Sequence, residues 1–178
     1  LGCVANGCGL GQICNPETTE CDAAPVVGTC MAPTAIAWPL QGGGVLDLDG
    51  SLTDAAPAVL AGASCGGGAP GPEAVYRLTA TEDATVCLST DGSDAGLDTV
   101  IHVRSECEGA EFELDPPEGC HDDIGDWDLD GRRDSPDGPY TPHSELLLEM
   151  AAGNSFFVIV DSAQANERGN FTLRLTPE

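Results

Sequence analysis

Aspartate side chains recur at short, regular intervals between residues 126 and 137. The pattern is Asp-x-Asp-x-Asp-Gly-x-x-Asp-x-x-Asp, inside a stretch from Glu106 to Asp137 in which 13 of 32 residues are acidic. Alternate residues of a tight loop can direct their carboxylates to one point, and Gly131 permits the sharp turn that follows. Calcium takes six to eight such oxygens at about 2.3–2.6 Å. The spacing therefore predicts a calcium site formed by Asp126, Asp128, Asp130, the backbone carbonyl of Arg132, Asp134 and Asp137.

The twelfth position of this loop departs from an EF-hand. An EF-hand normally has Glu there, which reaches the ion with both oxygens, whereas this loop has Asp137 and no flanking helices are expected. The pattern instead resembles the calcium loops of thrombospondin type 3 repeats. We expect the ion to order a long loop that has almost no apolar core. The alternative is a solvated acidic loop, in which the close carboxylates would repel one another without a cation.

Patterns that would indicate catalysis are weak. The segment Gly62-Ala-Ser-Cys-Gly matches the Gly-x-Ser-x-Gly nucleophile pattern around Ser64. That pattern needs a strand before the serine and a helix after it, and here glycines and prolines follow. His102, His121 and His143 do not have the spacing of a metal site. We therefore predict a protein that is not an enzyme and has no catalytic residues.

The net charge of the chain limits the classes of molecule that it can bind. Its 178 residues include 30 acidic and six basic side chains, all six of them arginine, for a formal net charge of -24. Such a chain repels nucleic acid and anionic lipid headgroups and attracts divalent cations. No apolar run is long enough to cross a membrane. Cys3 follows Leu1-Gly2, which is similar to a bacterial lipoprotein cleavage site, so a lipid anchor through Cys3 is one alternative.

Nine cysteines indicate an oxidising compartment and a disulfide framework. Four of them lie in residues 1–24, which have too few apolar residues for a core and need covalent bridges. We predict a disulfide knot there and favour Cys3–Cys14 and Cys8–Cys21 among the three possible connectivities. Residues 25–29 form a linker to the domain at residues 30–178.

Short apolar segments with strand character fill that domain. About eight of them, separated by Gly, Pro, Asp and Ser, run from Val45 to Leu175 without long helical periodicity. The prediction is an all-β protein, an antiparallel β-sandwich or jelly roll. The segment Ser155-Phe-Phe-Val-Ile-Val is apolar on both faces and is expected at the centre of a sheet.

Five segments in order make the chain similar to a known family. The first is Gly62 to Ala80 leading into Leu88 to Asp94, and the other four are Leu97 to Cys107, Gly119 to Asp123, Ala152 to Asp161 and Gly169 to Leu175. Over residues 28–176 the chain resembles the bacterial pre-peptidase C-terminal (PPC) β-sandwich. The resemblance implies a jelly-roll-like, non-catalytic domain that accompanies exported enzymes and surface proteins. The acidic insertion at about residues 122–143 departs from that family.

The resemblance to this family also suggests how the remaining cysteines pair and where a second metal site could lie. We expect Cys107 to pair with Cys120 across a hairpin-like segment and Cys30 to pair with Cys65. Cys87 is then left as a free thiol or bonded elsewhere. The resemblance also brings two loops together, which implies a second metal site formed by Asp94, Asp98, Asp122 and Asp123. The simpler alternative is that these aspartates cap turns.

The sequence thus predicts an exported, calcium-binding module of a bacterium. We expect it at the cell surface or outside the cell, in a structural, adhesion or assembly role, with a protein or polysaccharide partner. One alternative is an accessory domain of a secreted hydrolase that binds polysaccharide or protein. Another is a self-assembling subunit of an extracellular filament.

Overall fold

The computed structural model describes residues 28–40, 43–53, 60, 62–112, 119–123 and 141–178, and the backbone of 12–14 and 21–23. A short 3-10 turn at Gly66–Gly68 is found besides the strands. The described strands are β1 (Gln12–Cys14), β2 (Cys21–Ala23), β3 (Thr34–Trp38), β4 (Leu46–Leu52), β5 (Ala74–Ala80), β6 (Ala84–Ser89), β7 (Thr99–Arg104), β8 (Cys120–Asp122), β9 (Glu145–Met150), β10 (Ser155–Ser162) and β11 (Gly169–Pro177).

Nine of these strands form two sheets. One has the order β3-β5-β10-β7-β8 and the other has the order β4-β11-β6-β9. All neighbours in them are antiparallel except β3 and β5, which are parallel. The predicted all-β sandwich is therefore confirmed, and β10, which carries the segment from Ser155, lies at the centre of its sheet as expected.

The core lies between the two sheets. Alternate side chains of each strand point inward, so Leu78 and Val158 of one sheet face Leu88 and Leu173 of the other. In the antiparallel pair of β4 and β11, Gly50 lies opposite Phe171. A Cβ at Gly50 would lie 2.5 Å from Cε1 and 2.9 Å from Cε2 of that ring. A glycine is needed there because the ring occupies the space of a side chain.

The N-terminal residues are described by backbone alone. β1 and β2 form an antiparallel pair in which Cys14 lies opposite Cys21. Cys3 and Cys8 lie outside the described residues, so the predicted pairings of the N-terminal knot stay predictions. The described part of the chain contains no helix with the length and apolar character that a membrane span requires.

The predicted pairing of the other four cysteines was wrong. The disulfides join Cys30 to Cys107 and Cys65 to Cys120, with Cα–Cα distances of 5.7 and 5.9 Å. The reason is the register of β7 and β8, which sets Cys120 opposite His102, five residues before Cys107. Cys107 therefore lies beyond the end of that ladder and faces Cys30. Cys87 has a free thiol, one of the two states that the sequence left open.

Candidate metal site

The register of β7 and β8 brings two of the predicted acidic ligands together. Asp122 lies opposite Val100. Side chains alternate between the faces of a strand, so Asp98, two residues before Val100, is on the same face and diagonal to Asp122. The sequence alone could not give this register, because the two strands are separated by a long connection.

Asp123 completes the group because the chain leaves the strand there. Its φ of 44° is left-handed, a conformation that Asp tolerates better than most residues. One ligand oxygen from each of Asp98, Asp122 and Asp123 lies within 4.8 Å of the others. Two oxygens bound to one calcium at about 2.4 Å can be at most about 4.8 Å apart. The three carboxylates therefore have the spacing of ligands around a single ion of this size.

Neighbouring loops fix the two sides of this group. On one side, Asp98 accepts a hydrogen bond at its carbonyl from the N–H of Ala163, 3.0 Å away. On the other side, the Cys65–Cys120 disulfide ties the glycine-rich turn to β8. A Cβ at Gly66 would collide with Val100 and would lie 3.5 Å from Oδ2 of Asp122. The turn thus passes directly over the group, and only a glycine, with a φ of 55°, fits there.

Crowding disfavours the charged forms of these carboxylates. Burial, followed by the charges of Asp123 and Asp98, raises the pKa of Asp122 to about 7. Burial and the charge of Asp123 also raise the pKa of Asp98, and His143 partly opposes this shift. Burial and the charge of Asp98 raise the pKa of Glu167. A cation within the group would reverse this electrostatic balance.

Several oxygens of the group have no donor. Oδ1 of Asp98, Asp122 and Asp123 is inaccessible to solvent, and none of the three has a hydrogen-bond partner among the described residues. Buried polar atoms in proteins are nearly always paired with a donor, an ordered water or an ion. Three such oxygens on adjacent carboxylates are the pattern that a bound cation would satisfy.

Two residues that the sequence did not indicate lie beside the group. His143 is 7% exposed, and neither of its ring nitrogens has a hydrogen-bond partner among the described residues, although Nδ1 is 3.6 Å from Oδ1 of Asp91. Glu167, whose pKa is raised by burial and by the charge of Asp98, has a buried Oε2 without a hydrogen-bond partner among the described residues. His143 is brought here because the N–H of Thr99 donates to the carbonyl of Pro142. No spacing pattern could have revealed this contact.

A buried hydroxyl network holds the segment of His143 in place. The hydroxyls of Thr90 and Thr99 are 2.6 Å apart, and the N–H of Ser144 donates to the Thr90 hydroxyl at 2.8 Å. The Ser144 hydroxyl in turn donates to the carbonyl of Thr99. The beginning of β7 and the segment before β9 are therefore joined next to Asp98.

Asp94 lies outside the group. Its Oδ2 accepts a hydrogen bond at 2.8 Å from the N–H of Asn170, the second residue of β11, so its carboxylate is engaged by a strand 76 residues further along the chain. Three of the four predicted ligands of the second site are thus brought together and the fourth is not. The ligands of the predicted calcium loop, Asp126, Asp128, Asp130, Arg132, Asp134 and Asp137, lie outside the described residues. The described chain stops at Asp123 and resumes at Thr141.

Ser64 and Cys87 are two potential nucleophiles among the described residues. Ser64 precedes the bridged Cys65 and is followed by a 3-10 turn, not by a helix. Burial, with the charges of Glu145 and Glu178, raises the pKa of the Cys87 thiol to about 12, so the nucleophilic thiolate is disfavoured.

A buried acid lies on the central strand, where Asp161 is opposite Val100 of β7. Asp161 is fully buried, and its Oδ1 accepts a hydrogen bond from the N–H of Ser162 at 2.7 Å. Its Oδ2 has no hydrogen-bond partner among the described residues. Burial, and less so the charge of Glu73, raises its pKa to about 8 against the opposing effects of Ser162 and Arg104.

Comparisons with known proteins show low similarity. No protein-family model matches the chain, and no curated protein matches it. Similar solved structures include the pre-peptidase C-terminal domain of collagenase from Bacillus anthracis, 12% identical, covering 82% of this chain and 94% of that one with a TM-score of 0.42. Another is PliG, a periplasmic inhibitor of g-type lysozyme from Aeromonas hydrophila, 14% identical, covering 82% and 96% with a TM-score of 0.40. At these identities and TM-scores neither structure assigns a function to this chain.

Proposed function

We propose that the protein is an exported, calcium-stabilised β-sandwich that acts outside the cell as a non-catalytic binding module. The observation that carries this proposal is the group of Asp98, Asp122 and Asp123, whose oxygens lie within 4.8 Å of one another. Each of the three has a buried Oδ1 without a hydrogen bond among the described residues. A divalent cation would satisfy these oxygens and neutralise the repulsion between them.

Calcium is the cation that these ligands favour. Carboxylate oxygens are hard ligands, and calcium accepts irregular arrangements of them, whereas magnesium demands near-ideal octahedral geometry. The aspartate loop that follows Asp123 repeats the same ligand chemistry in the sequence. We therefore propose two calcium sites, one in the three-aspartate group and one in the loop from Asp126 to Asp137. Both would stabilise the fold.

Disulfides and the lack of a catalytic arrangement support the other parts of the proposal. Two disulfides link distant segments of the described chain, and disulfides persist in oxidising compartments outside the cytosol. Ser64 is followed by a 3-10 turn and not by the helix of a nucleophile elbow. The pKa of the Cys87 thiol is raised to about 12, which disfavours its nucleophilic form. These two features favour a binding role over a hydrolase.

Calorimetric titration with calcium tests this proposal. We expect uptake by the full chain, and we expect Asp98→Asn with Asp122→Asn to remove the ion of the three-aspartate group. Asp128→Asn with Asp130→Asn should remove the other ion, and magnesium at the same concentration should compete poorly. Asp94→Asn is the matched control, because Asp94 lies outside the group, and it should leave uptake unchanged. A chain that takes up no calcium and melts identically with and without a chelator would overturn the proposal.

A further inference from the structure

The two lateral sides of the sandwich differ. On one side the edge strands β8 and β9 are joined, because the N–H of Glu145 donates to Nδ1 of His121 at 3.1 Å. On the opposite side the edge strands are β3 and β4. The structure gives no hydrogen bond between these two strands within the described ranges 34–38 and 46–52. Among the residues that the structure describes, one side of the sandwich is thus bridged by a hydrogen bond, and the other side, which we call the open side, is not.

An apolar groove with a volume of about 470 Å³ lies along the open side, between β3 and β4. It is lined by side chains of both edge strands and of the segment that follows β3, chiefly Ile36, Leu40, Leu46 and Leu48. The three leucines are only partly buried, although they pack against the main core. A groove beside a sheet edge can accept an extended segment, which adds backbone hydrogen bonds to the edge strand and places alternate side chains in the groove.

The edge of β4 lacks several of the features that usually prevent strand addition. Natural edge strands are commonly protected by charged side chains, above all lysine, by proline or by a β-bulge. β4 has no lysine, proline or bulge, its two charged side chains are Asp47 and Asp49, and it pairs with β11 through seven consecutive residues, from Leu46 opposite Leu175 to Leu52 opposite Gly169. It is therefore a long, regular edge that could accept another strand.

The charges on β4 determine which kind of added strand would be stabilised there. The inward positions of β4 alternate with Asp47 and Asp49, which are exposed on its outer face. Asp47 already binds Arg174 at 2.7 and 3.0 Å, whereas Asp49 accepts a hydrogen bond from the uncharged hydroxyl of Thr172 and has no ion pair among the described residues. The outward side chains of an added strand would lie beside these carboxylates, where opposite charges stabilise and like charges destabilise. A second copy of this chain, with a net charge of -24 and no lysine, is disfavoured for the same reason.

We infer that this groove binds an extended, basic segment of a partner protein by strand addition at β4. The segment would alternate apolar side chains, directed into the groove, with Lys or Arg side chains directed toward Asp49. The inference rests on the binding role proposed above and names its surface and partner chemistry. It does not depend on the calcium ions.

Three synthetic peptides test the inference on the full chain. The first is Lys-Val-Lys-Val-Lys-Val-Lys with capped ends, the second replaces each Lys with Glu, and the third is the first peptide with N-methyl groups along one backbone edge. We expect the first to bind in anisotropy titrations and to slow amide exchange in Leu46–Leu52. The Glu peptide should not bind, because its charges repel the chain. The N-methylated peptide should not bind either, because it cannot complete the backbone hydrogen bonds.

Two charge-reversal variants separate local recognition from general attraction. Asp49→Lys, on the edge of the groove, should weaken the basic peptide about fivefold or more, the size of a changed cross-strand pair. Glu149→Lys makes the same change in net charge on β9, the far edge of the same sheet, and should weaken it less than about twofold. Both variants change exposed residues, and their melting temperatures verify that they fold.

Several outcomes would overturn the inference. These are no binding at millimolar peptide, equal weakening by both variants, or equal binding of the N-methylated peptide. A dimer in sedimentation whose β4 amides are already protected would show that a second copy occupies the groove. Titrations in calcium and in chelator distinguish the two proposals. If the chain takes up no calcium but still binds the basic peptide, the proposed calcium sites are wrong and the inference about the groove stands. If it takes up calcium but does not bind the peptide, the inference about the groove is wrong and the calcium sites stand.

Discussion

Replacing Asp122 with asparagine should change the stability of the protein in opposite directions with and without calcium. Asparagine has nearly the same shape and keeps an oxygen that can accept a hydrogen bond. It removes one negative charge from the group of Asp98, Asp122 and Asp123, whose oxygens lie within 4.8 Å of one another. Without a cation that charge is repelled by its two neighbours, and with calcium it is a ligand.

The size of the effect follows from Coulomb's law. Two unit charges 4.8 Å apart repel by about 1 kcal/mol in water and about 3.5 kcal/mol at an effective dielectric constant of 20. Asp122 has two such neighbours, but its pKa of about 7 means that proton uptake already relieves part of the repulsion near neutral pH. We therefore expect about 1–3 kcal/mol of stabilisation in chelator. For a domain of this size, that corresponds to a rise of about 2–10 °C in Tm.

The assay is thermal unfolding at pH 7.5 in chelator and in calcium. To isolate the three-aspartate group, the measurement uses a background in which Asp128 and Asp130 are asparagine, so that the predicted loop site is absent. Calcium at 100 times its Kd stabilises the folded state by about 2.7 kcal/mol. In this background the Asp122→Asn protein should lose most of that gain while melting at a higher temperature in chelator.

Asp94→Asn is the control for this reversal. Asp94 is an acidic residue of the same loop region as Asp98, but its carboxylate accepts a hydrogen bond from the N–H of Asn170 in β11. Its substitution should leave the calcium-dependent rise in Tm intact. If Asp122→Asn lowers Tm equally in chelator and in calcium, Asp122 has a purely structural role and the argument from crowding is wrong.

Three further predictions concern the rest of the fold. The pKa of Asp161 is about 8, above its ordinary value of 3.8, so its contribution to stability is complete below about pH 4 and is lost as the pH rises to 8. Asp161→Asn should therefore flatten the pH dependence of urea unfolding and stabilise the protein by about 1–3 kcal/mol at pH 8; an unchanged slope would refute this. Gly50→Ala should cost about 1–3 kcal/mol because its Cβ meets the Phe171 ring, whereas Gly96→Ala, with open space around it, should be neutral in the same assay. Iodoacetamide at pH 8 should alkylate Cys87 only after unfolding, because its pKa is about 12, and peptide mapping of the native protein would detect any earlier labelling.

The strands could be predicted from the sequence wherever apolar residues form a continuous or alternating run. The apolar segment from Ser155 was expected at the centre of a sheet, and β10 is central because it can be buried on both faces. The short strands β3 and β8 were not predicted. β8 has only Cys120, His121 and Asp122, which have no apolar pattern of their own, and it is a strand because β7 supplies a partner.

The candidate site could be predicted only in part for the same reason. Asp98 and Asp122 were expected to meet, and the register of β7 and β8 agrees. Asp94 was expected with them, but spacing within a loop does not determine which side chain turns toward the site and which caps the backbone. His143 was missed because it approaches through the hydrogen bond from Thr99 to Pro142, a contact between residues more than 40 positions apart.

The short strand β8 explains why a covalent bridge and an ion would act at the same place. Three residues of antiparallel pairing give little stability by themselves, and β8 is the edge of its sheet. The disulfide from Cys65 holds its first residue, Cys120, but its last residue, Asp122, is repelled by Asp98 of the neighbouring segment. A calcium ion would convert that repulsion into an attachment and would hold both ends of β8. The ion that we propose would also hold Asp123, the last described residue before the acidic segment.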